Sequence, residues 1–433
     1  MNVSHFIARR IVQTNDEGFT KIIIKIAIVA IALSMSVMLI TSSMISGFKN
    51  EITSKIIGFW GHIHITDGGI NNTLERMNPI QADAPYLQDL LNTEQVNYQA
   101  PYSFLGMQFE GKYISAQTKG GISHVQQFTF EPGIISTKTQ FGGVILKGVG
   151  KDYDWSRLQP YLIEGEPIDL NDEKDNEIIL SSTIARSLKI KLGQRIRVSF
   201  IKEQDQVKRV FVVNGIYNTG LEEFDKQFAI VDVDKLRGIK NWTDNQVGGY
   251  EVFLDDIDDL ETMSEYIYYE VLPPNLLAQS IKTRLNGIFE WLKLQDINMQ
   301  VILILMIIVA IINMMTALLI LILDRSKMIG VLKALGTSNW TVRKIFIYQA
   351  AYIILFGMSI GNILGLGLCY IQKTTGFIQL DEANYYLTQA PIDFDILSIL
   401  LINVGTFVIT LLFLIVPTMI ISWISPVKVL TFD

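Results

Sequence analysis

Two histidines are the residues of this chain whose type and spacing come closest to a metal site. His62 and His64 alternate with Ile63 and would therefore lie on the same face of a β-strand. A zinc site needs at least three protein ligands, and the neighbouring sequence offers no third one. We therefore predict that both side chains lie on the solvent-facing side of an edge strand and bind no metal.

The sequence also lacks the motifs of common catalytic sites. It contains no G-x-x-x-x-G-K-[S/T] loop, no H-E-x-x-H and no C-x-x-C. The only cysteine, Cys369, excludes an intrachain disulfide. No basic patch interleaves with aromatic residues, as it would in a nucleic-acid-binding protein. We therefore expect a protein that is not an enzyme, binds no cofactor of its own and has no nucleic acid partner.

The hydrophobic residues of the chain are concentrated in long runs. The 433 residues are 49% hydrophobic and only 18% charged, and four runs lack Asp, Glu, Lys and Arg altogether. These runs are 26–48, 297–323, 345–372 and 396–427. Each is long enough to cross a hydrocarbon core of about 30 Å as a helix, the structure that satisfies its own backbone in lipid. The sequence therefore predicts four transmembrane helices.

Basic residues beside the runs predict the orientation in the membrane. Arg9, Arg10, Lys21 and Lys25 precede the first run, and the short loop 324–344 carries five basic residues and one acid. The positive-inside rule places both segments in the cytoplasm. The predicted order is a cytoplasmic segment 1–19, helix 20–48, an extracytoplasmic domain 49–296, helix 297–323, a cytoplasmic loop 324–344, helix 345–372, a periplasmic loop 373–395, helix 396–424 and a cytoplasmic tail 425–433.

The large region 49–296 has mixed helix and strand patterns. Short apolar or alternating runs predict strands at 62–66, 143–147, 177–180, 195–200 and 210–213. Short helices are predicted at 84–92, 182–189, 233–238 and 258–270, with Ser181 or Ser182 capping the second. Apolar residues at helical spacing after the first run and before the second predict two helical stalks. The predicted fold is a four-helix membrane protein with a large α+β extracytoplasmic domain.

Small and polar residues inside the apolar runs predict how the helices pack. Gly357, Gly361 and Gly365 form a G-x-x-x-G-x-x-x-G ladder, which lets a second helix backbone approach closely. Three asparagines, Asn313, Asn362 and Asn403, lie well inside the runs. An amide facing lipid is costly, so we expect these side chains to face protein and to link helices.

The loop 324–344 is the best candidate for a functional segment. A helix over 326–336 would gather its apolar side chains on one face and charge on the other. These apolar side chains are Met328, Val331, Leu332 and Leu335. Such a helix could dock into a groove of a cytoplasmic partner, whereas a plain surface hairpin would have the same composition.

The loop and its surroundings resemble a known family. The stretch from Asn313 to Gly336, with its core at 329–336, is similar to the FtsX-type permease segment of the MacB-like ABC superfamily. The closing Pro426 to Leu430 resembles the P-x-x-x-L ending of the same family. Further similarity to the lipoprotein-releasing permeases, the LolC/LolE family, lies at 6–10, 46–48, 61–65, 143–149, 164–165, 215–225 and 289–294.

This resemblance implies a MacB-like outer domain and a permease subunit that extracts lipoproteins from the inner membrane. ATP and Mg would bind a separate LolD-like ATPase subunit, and a second permease copy or paralogue would complete the transporter. A LolA-like periplasmic carrier would accept the lipoprotein, with the turn near 166–176 as a candidate contact. Membrane lipids would surround the helices.

The resemblance assigns coupling to the ATPase to the loop helix. The coupling residues are Lys327, Met328, Ile329, Gly330, Val331, Leu332, Lys333, Ala334, Leu335 and Gly336. Acyl chains need a continuous apolar route because each exposed CH₂ costs about 0.8 kcal/mol. We expect this route along Met44, Phe48, Ile52, Ile297, Met299 and Ile302.

Two other functions fit the same superfamily. A MacB-like exporter of peptides, antibiotics or toxins would use adaptor and channel partners. An FtsX-like signalling permease would move no substrate and would activate a periplasmic hydrolase, but such proteins have a smaller outer domain and a longer cytoplasmic N-terminus. The sequence leaves open whether the chain fills the LolC or the LolE role.

Overall fold

The computed structural model describes residues 19–69, 73, 76–104, 107–138, 140–170, 176–201 and 206–423. Most of the predicted N-terminal segment, the closing P-x-x-x-L motif and part of the turn near 166–176 lie outside these residues. The described chain divides into two compact units. Of the described residues, the first comprises those within 19–51, 290–380 and 389–423, and the second comprises those within 52–289 and 381–388.

Helices of very different length follow one another along the chain. They are α1 (Phe19–Trp60), α2 (Tyr86–Leu91), α3 (Ser182–Leu188), α4 (Glu222–Asp225), α5 (Val233–Lys240), α6 (Leu260–Tyr266), α7 (Ile281–Arg284), α8 (Asn286–Asp324), α9 (Ser326–Ala334), α10 (Asn339–Thr375), α11 (Glu382–Tyr385), α12 (Ile396–Phe413) and α13 (Ile415–Thr418). Short 3₁₀ turns at Trp155–Arg157, Gln159–Tyr161, Ile257–Asp259 and Met419–Trp423 and a π-helical turn at Ile267–Val271 complete the helical segments.

The strands of the described residues lie between α1 and α7. They are β1 (Ile63–Asp67), β2 (Ile80–Gln81), β3 (Asn97–Phe104), β4 (Met107–Gln117), β5 (Ile122–Ser136), β6 (Phe141–Val149), β7 (Leu162–Gly165), β8 (Glu177–Ser181), β9 (Arg195–Ile201), β10 (Gln206–Tyr217), β11 (Phe228–Asp232), β12 (Gln246–Val247), β13 (Gly249–Leu254) and β14 (Leu276–Ser280).

The first unit is a bundle of long apolar helices. Within the described residues, four helical stretches are long and apolar enough to cross a membrane, namely 21–60, 286–324, 339–375 and 396–423, which confirms the predicted number. Their shared core contains Met35, Leu39, Met314, Leu318 and Phe346. The positions of the membrane boundaries along these helices stay predictions.

The fourth apolar stretch is divided rather than continuous. The sequence predicts one helix over 396–424, whereas the structure has α12, α13 and a final 3₁₀ turn. Pro417 lies at this division, and its ring removes a backbone N–H that a regular helix would use. The helical path therefore changes hydrogen-bonding pattern after Phe413.

The glycine ladder of α10 lies against α1. A Cβ atom added at Gly357 would lie 2.9 Å from Ile31 Cβ, and one at Gly361 would lie 2.6 Å from the Ala32 carbonyl oxygen. At Gly365 the nearest atom, Ser36 Cα, would be 3.1 Å away. The two backbones therefore approach as closely as the absence of three side chains permits.

The second unit is built on a ten-stranded mixed sheet. Its order is β14-β1-β13-β5-β6-β11-β8-β10-β7, and β9 pairs with both β10 and β5. Strands β5, β6, β11, β8, β10 and β9 thus form a closed ring of hydrogen-bonded neighbours. Apolar residues from all six fill one core, among them Ile135, Leu146, Leu180, Phe200 and Val231. The predicted α+β character is confirmed.

Several local predictions for this unit are also confirmed. The predicted helices at 84–92, 182–189 and 233–238 correspond to α2, α3 and α5. Ser181 is the cap of α3, since its Oγ accepts a hydrogen bond from the Ile184 N–H at 3.1 Å. The segment 258–270 is helical but changes from a 3₁₀ turn to an α-helix and then to a π-helical turn.

The prediction for the histidine pair is wrong. Strand β1 lies between β14 and β13 rather than at an edge, and both His62 and His64 are buried. A solvent-facing edge strand and an inner strand with polar partners have the same alternating sequence pattern. The pattern therefore could not distinguish these two positions in the sheet. Leu254 N–H donates to His62 Nδ1 at 3.1 Å.

The close contact at Gly361 predicts a specific effect of one methyl group. Gly361→Ala should lower the melting temperature of the purified protein in detergent, because the added Cβ meets the Ala32 carbonyl at 2.6 Å. Gly367→Ala is the matched control on the same helix, since no atom lies within 4 Å of its added Cβ. Both changes bring the same gain in helix propensity of about 1 kcal/mol, so equal melting temperatures for the two variants would contradict the packing account.

Candidate functional site

Helix α9 forms the hairpin between the long helices α8 and α10. The chain leaves α9 through Gly336, whose φ of +87° lies in the left-handed region that favours glycine. The backbone N–H groups of Gly336 and Thr337 donate to Lys333 and Leu332 carbonyl oxygens, each at 3.0 Å. Ser338 then caps α10, its Oγ accepting from the Thr341 N–H at 3.3 Å. The turn from α9 into α10 is thus held by hydrogen bonds on both of its sides.

The predicted apolar face of α9 is divided between two environments. Ile329 is fully buried, and Met328 and Leu332 pack against the core of the helical bundle. Val331 and Leu335 point the other way, with 46% and 78% of their surfaces exposed. Within the helical unit, this leaves an exposed apolar pair, one helical turn apart, on the outer side of α9.

The remaining residues of the hairpin fix α9 in place or extend its surface. Lys333 Nζ donates to the carbonyl oxygens of Ile421 and Ser422 at 3.2 and 3.4 Å. Arg343 Nη2 donates to Ser422 Oγ at 2.5 Å. Lysine and arginine near carbonyls at a helix C-terminus complement the negative end of its dipole. The exposed residues of the hairpin include Lys327, Ala334, Gly336 and Trp340, whereas Gly330 is buried.

An ion pair joins α1 and α8 at the residues that border their charge-free runs. Lys49 Nζ lies 2.8 and 2.6 Å from the two carboxylate oxygens of Asp296, and about one third of each side chain is exposed. Beside it, the rings of Phe48 and Trp291 meet edge to face at 5.4 Å. Sequence reasoning did not find this pair, although opposite charges directly bordering two apolar runs were the available signal.

The residues predicted for an apolar route lie in different environments. Phe48 is buried against Trp291, and Ile52 is fully buried. Met44, Met299 and Ile302 are half-buried, whereas Ile297 is about half exposed. Exposed apolar side chains continue along the same helix at Val301, Leu305 and Ile308. Of the residues predicted for the route, Ile297 on α8 is therefore the one with the most exposed surface in this conformation.

The loop after α10 is held against α1 by backbone contacts that the sequence did not reveal. A Cβ added at Gly47 would lie 2.8 Å from Asp393 N, and that N–H donates to the Ser43 carbonyl oxygen at 3.0 Å. Asn50 Nδ2 donates to Asp393 Oδ2 at 2.7 Å. Gly47 is thus required for close approach, which gives a physical role to the Ser46-Gly47-Phe48 motif.

Two of the three asparagines predicted to link helices form hydrogen bonds with each other. Asn362 Nδ2 donates to Asn403 Oδ1 at 2.7 Å, and Asn403 Nδ2 donates to Asn362 Oδ1 at 3.1 Å. This reciprocal amide pair links α10 with α12, as expected for polar groups in an apolar bundle. Asn313 is half-buried on α8.

No group of three or more His, Cys, Asp or Glu side chains suited to a metal ion occurs among the described residues. The features described on the helical unit are the exposed apolar pair of α9, the Lys49–Asp296 ion pair and the exposed apolar side chains of α8.

Two family models match successive parts of the chain. A family model described as the MacB-like periplasmic core domain matches residues 26–267, and one described as the FtsX-like permease C-terminal matches residues 300–426. The lipoprotein-releasing system transmembrane protein LolC of Buchnera aphidicola is 22% identical over 403 residues, covering 91% of this chain and 90% of its own.

Two further relatives cover the chain as fully. LolC of Neisseria meningitidis is 24% identical over 89% of this chain and 88% of its own. The lipoprotein-releasing system transmembrane protein LolE of Haemophilus influenzae is 22% identical over the whole of both chains. Since the first family model alone matches more than half of the residues, this multi-pass membrane chain belongs to the MacB-like periplasmic core domain family and carries an FtsX-like permease C-terminal region.

Proposed function

We propose that the chain is the permease subunit of an ABC transporter that extracts lipoproteins from the inner membrane, using ATP hydrolysed by a separate subunit. The observation that carries this proposal is the similarity, over nearly the full length, to proteins named for lipoprotein release. The FtsX-like match includes α9 and the helices on either side of it.

The proposed contact with the ATPase is the outer side of α9. Val331, Leu335 and Trp340 expose apolar surface beside the cation Lys327, which suits a groove in a LolD-like subunit. ATP and Mg bind that subunit in this proposal. Because Lys333 ties α9 to the carbonyls of Ile421 and Ser422, a force on α9 reaches the end of the fourth apolar stretch directly.

The proposed path for the acyl chains starts on α8. Its exposed side chains Ile297, Val301 and Leu305 recur at helical spacing and carry no charge. Burying an acyl chain there offsets about 0.8 kcal/mol per CH₂ that water would otherwise cost. Phe48 and Ile52 belong to this path only in a conformation that uncovers them, since both are buried here.

We place the chain in the bacterial inner membrane with both termini in the cytoplasm and the sheet-containing domain in the periplasm. The support is the excess of Lys and Arg before the first run and in 324–344. The proposed partners are the ATPase, a second permease copy or paralogue, the lipoprotein substrate, surrounding lipids and a LolA-like periplasmic carrier.

Depletion of the protein in cells tests the proposed function. Outer-membrane lipoproteins should then accumulate in the inner membrane within the time needed to dilute the permease, as measured by pulse labelling and membrane fractionation. Normal sorting of lipoproteins after full depletion would contradict the proposal, and an unrelated inner-membrane protein provides the sorting control.

Because the end of α9 is exposed, we expect that one charge introduced there strongly weakens binding of the ATPase subunit. Leu335→Lys should reduce co-purification of the ATPase subunit about tenfold or more, because about 1.4 kcal/mol of lost contact is a tenfold change in affinity. Leu335→Met is the matched control, since it keeps an apolar side chain at the same 78% exposed position. Equal recovery of the ATPase with both variants would show that α9 is not the docking helix.

The Lys49–Asp296 pair predicts rescue by charge reversal. Asp296→Lys places two cations together where the wild type has an ion pair at 2.6 Å, and lipoprotein release should fall. A pair this exposed contributes at most about 1 kcal/mol, so we expect roughly a fivefold loss of release rate with little change in melting temperature. Combining Lys49→Asp with Asp296→Lys should restore release, and failure of the reversed pair would exclude an electrostatic role.

A further inference from the structure

The last turn of α1 is embedded in the core of the sheet-containing unit. Phe59 and Trp60 are almost completely buried. The Phe59 ring stacks on Phe224 at 6.1 Å, and the Trp60 ring meets Phe228 edge to face at 5.1 Å. Gly61, at φ +71°, ends the helix, and its N–H donates to the Ile57 carbonyl at 2.7 Å. The carbonyl groups of the final turn therefore point into a buried environment.

Buried polar side chains form hydrogen bonds with these carbonyl oxygens. Lys147 Nζ donates to the Phe59 carbonyl oxygen, and His64 Nε2 lies 2.5 Å from the Trp60 carbonyl oxygen. Lys147 Nζ also pairs with Glu251 Oε1 at 2.6 Å, and neither side chain is exposed at all. Gln126 Nε2 donates to the second oxygen, Glu251 Oε2, at 2.7 Å. Both oxygens of this buried carboxylate thus have partners.

Strand register puts these side chains in one row. His64 of β1 pairs directly with Glu251 of β13, which pairs directly with Gln126 of β5. Directly paired residues point to the same face of a sheet, so the row follows from the register. Lys147 on β6 reaches the row from the next strand.

The row is linked to the segment that leaves the domain. Arg284, the last residue of α7, lies two positions before α8 begins. Its Nη1 lies 2.8 Å from His64 Nδ1, and its guanidinium lies 5.6 Å from the centre of the Trp60 ring. Burial, with a further contribution from Arg284, holds the pKa of His64 well below its usual range. The neutral ring donates from Nε2 to Trp60 and accepts at Nδ1 from Arg284, so it connects the two segments.

The side chains around the end of α1 carry a surplus positive charge, which the negative end of the helix dipole offsets. We call His64, Gln126, Lys147, Glu251 and Arg284 the anchor cluster. Lys147 and Arg284 are cations, Glu251 is the single anion and His64 is neutral. The surplus positive charge faces the C-terminal carbonyls of the 42-residue helix α1, which carry the negative end of its dipole. The cluster therefore fits the helix end as a cap as well as fitting the sheet.

We propose that the anchor cluster is a positioning device that fixes the end of α1 and the start of α8 to the same strands. In consequence, a displacement of the end of α1 or of the start of α8 must move the strands that hold both. His64 and Arg284 are its positioning residues, because they join the entry and the exit of the domain without forming part of the Lys147–Glu251 ion pair. This inference rests on the proposed function, since the motion it transmits serves lipoprotein release.

The test uses the full transporter in lipid nanodiscs with a lipoprotein substrate and an acceptor for it. Arg284→Met removes the link to His64 and leaves the Lys147–Glu251 pair intact. We expect basal ATP hydrolysis within twofold of wild type and a drop of about tenfold in lipoprotein released per ATP hydrolysed. Lys282→Met, which removes a cation from the same short helix, is the matched control and should leave this ratio unchanged. Arg284→Lys should restore part of it.

The outcomes separate the two proposals. If the wild-type transporter releases no lipoprotein with ATP, the proposed function fails. If the wild type releases lipoprotein and folded Arg284→Met has the same ratio of release to ATP hydrolysis, the anchor cluster has no positioning role. Should Arg284→Met not fold, Arg284→Lys carries the test, and a wild-type ratio in that variant overturns the inference.

Discussion

The exclusion of charge and unpaired backbone groups from hydrocarbon is the constraint on which the rest of this structure depends. It requires the four long apolar helices, and it accounts for what happens where they meet polar groups. The charge-free runs of α1 and α8 end at Lys49 and Asp296, which pair with each other. The amides of Asn362 and Asn403 inside the bundle also pair reciprocally. Polar groups at the membrane thus serve to join helices.

The same requirement governs the interior of the second unit. Lys147 and Glu251 are completely buried, and such a pair persists only when further hydrogen bonds satisfy both groups. Gln126 and the Phe59 carbonyl supply those bonds. Asp225 is a second case, since Thr219 and Gly220 donate N–H groups to its carboxylate at 3.1 Å. Burial still raises the pKa of Asp225 to about 6, so desolvation outweighs these bonds.

Much of the fold follows from local sequence patterns, and the part that does not has a physical reason. The length of the charge-free runs was enough to predict four apolar helices. Ser181 was one of the two residues predicted to cap α3, and it does so. The closed ring of six strands depends on β9 pairing with both β5 and β10, a long-range choice that no local period encodes. His62 and His64 were misplaced because their burial depends on strands far away in the chain.

At the candidate site, too, local features could be predicted from the sequence and long-range contacts could not. A helix over 326–336 was predicted from the spacing of its apolar residues, but the burial of Met328 and Leu332 beside exposed Val331 and Leu335 depends on how the bundle packs. Asp393 against Gly47 and Arg284 against His64 join residues more than two hundred positions apart. A single sequence carries no signal for such pairs beyond the chemistry of their side chains.

In the proposed function, another subunit's ATP hydrolysis drives this chain to move lipoproteins out of a membrane. The decisive experiment is reconstitution of the permease with its ATPase and one radiolabelled lipoprotein in liposomes, with an acceptor protein outside. We expect transfer of the label to the acceptor only with hydrolysable ATP. Retention of the label in the liposomes, while ATP is hydrolysed at a normal rate, would contradict this function.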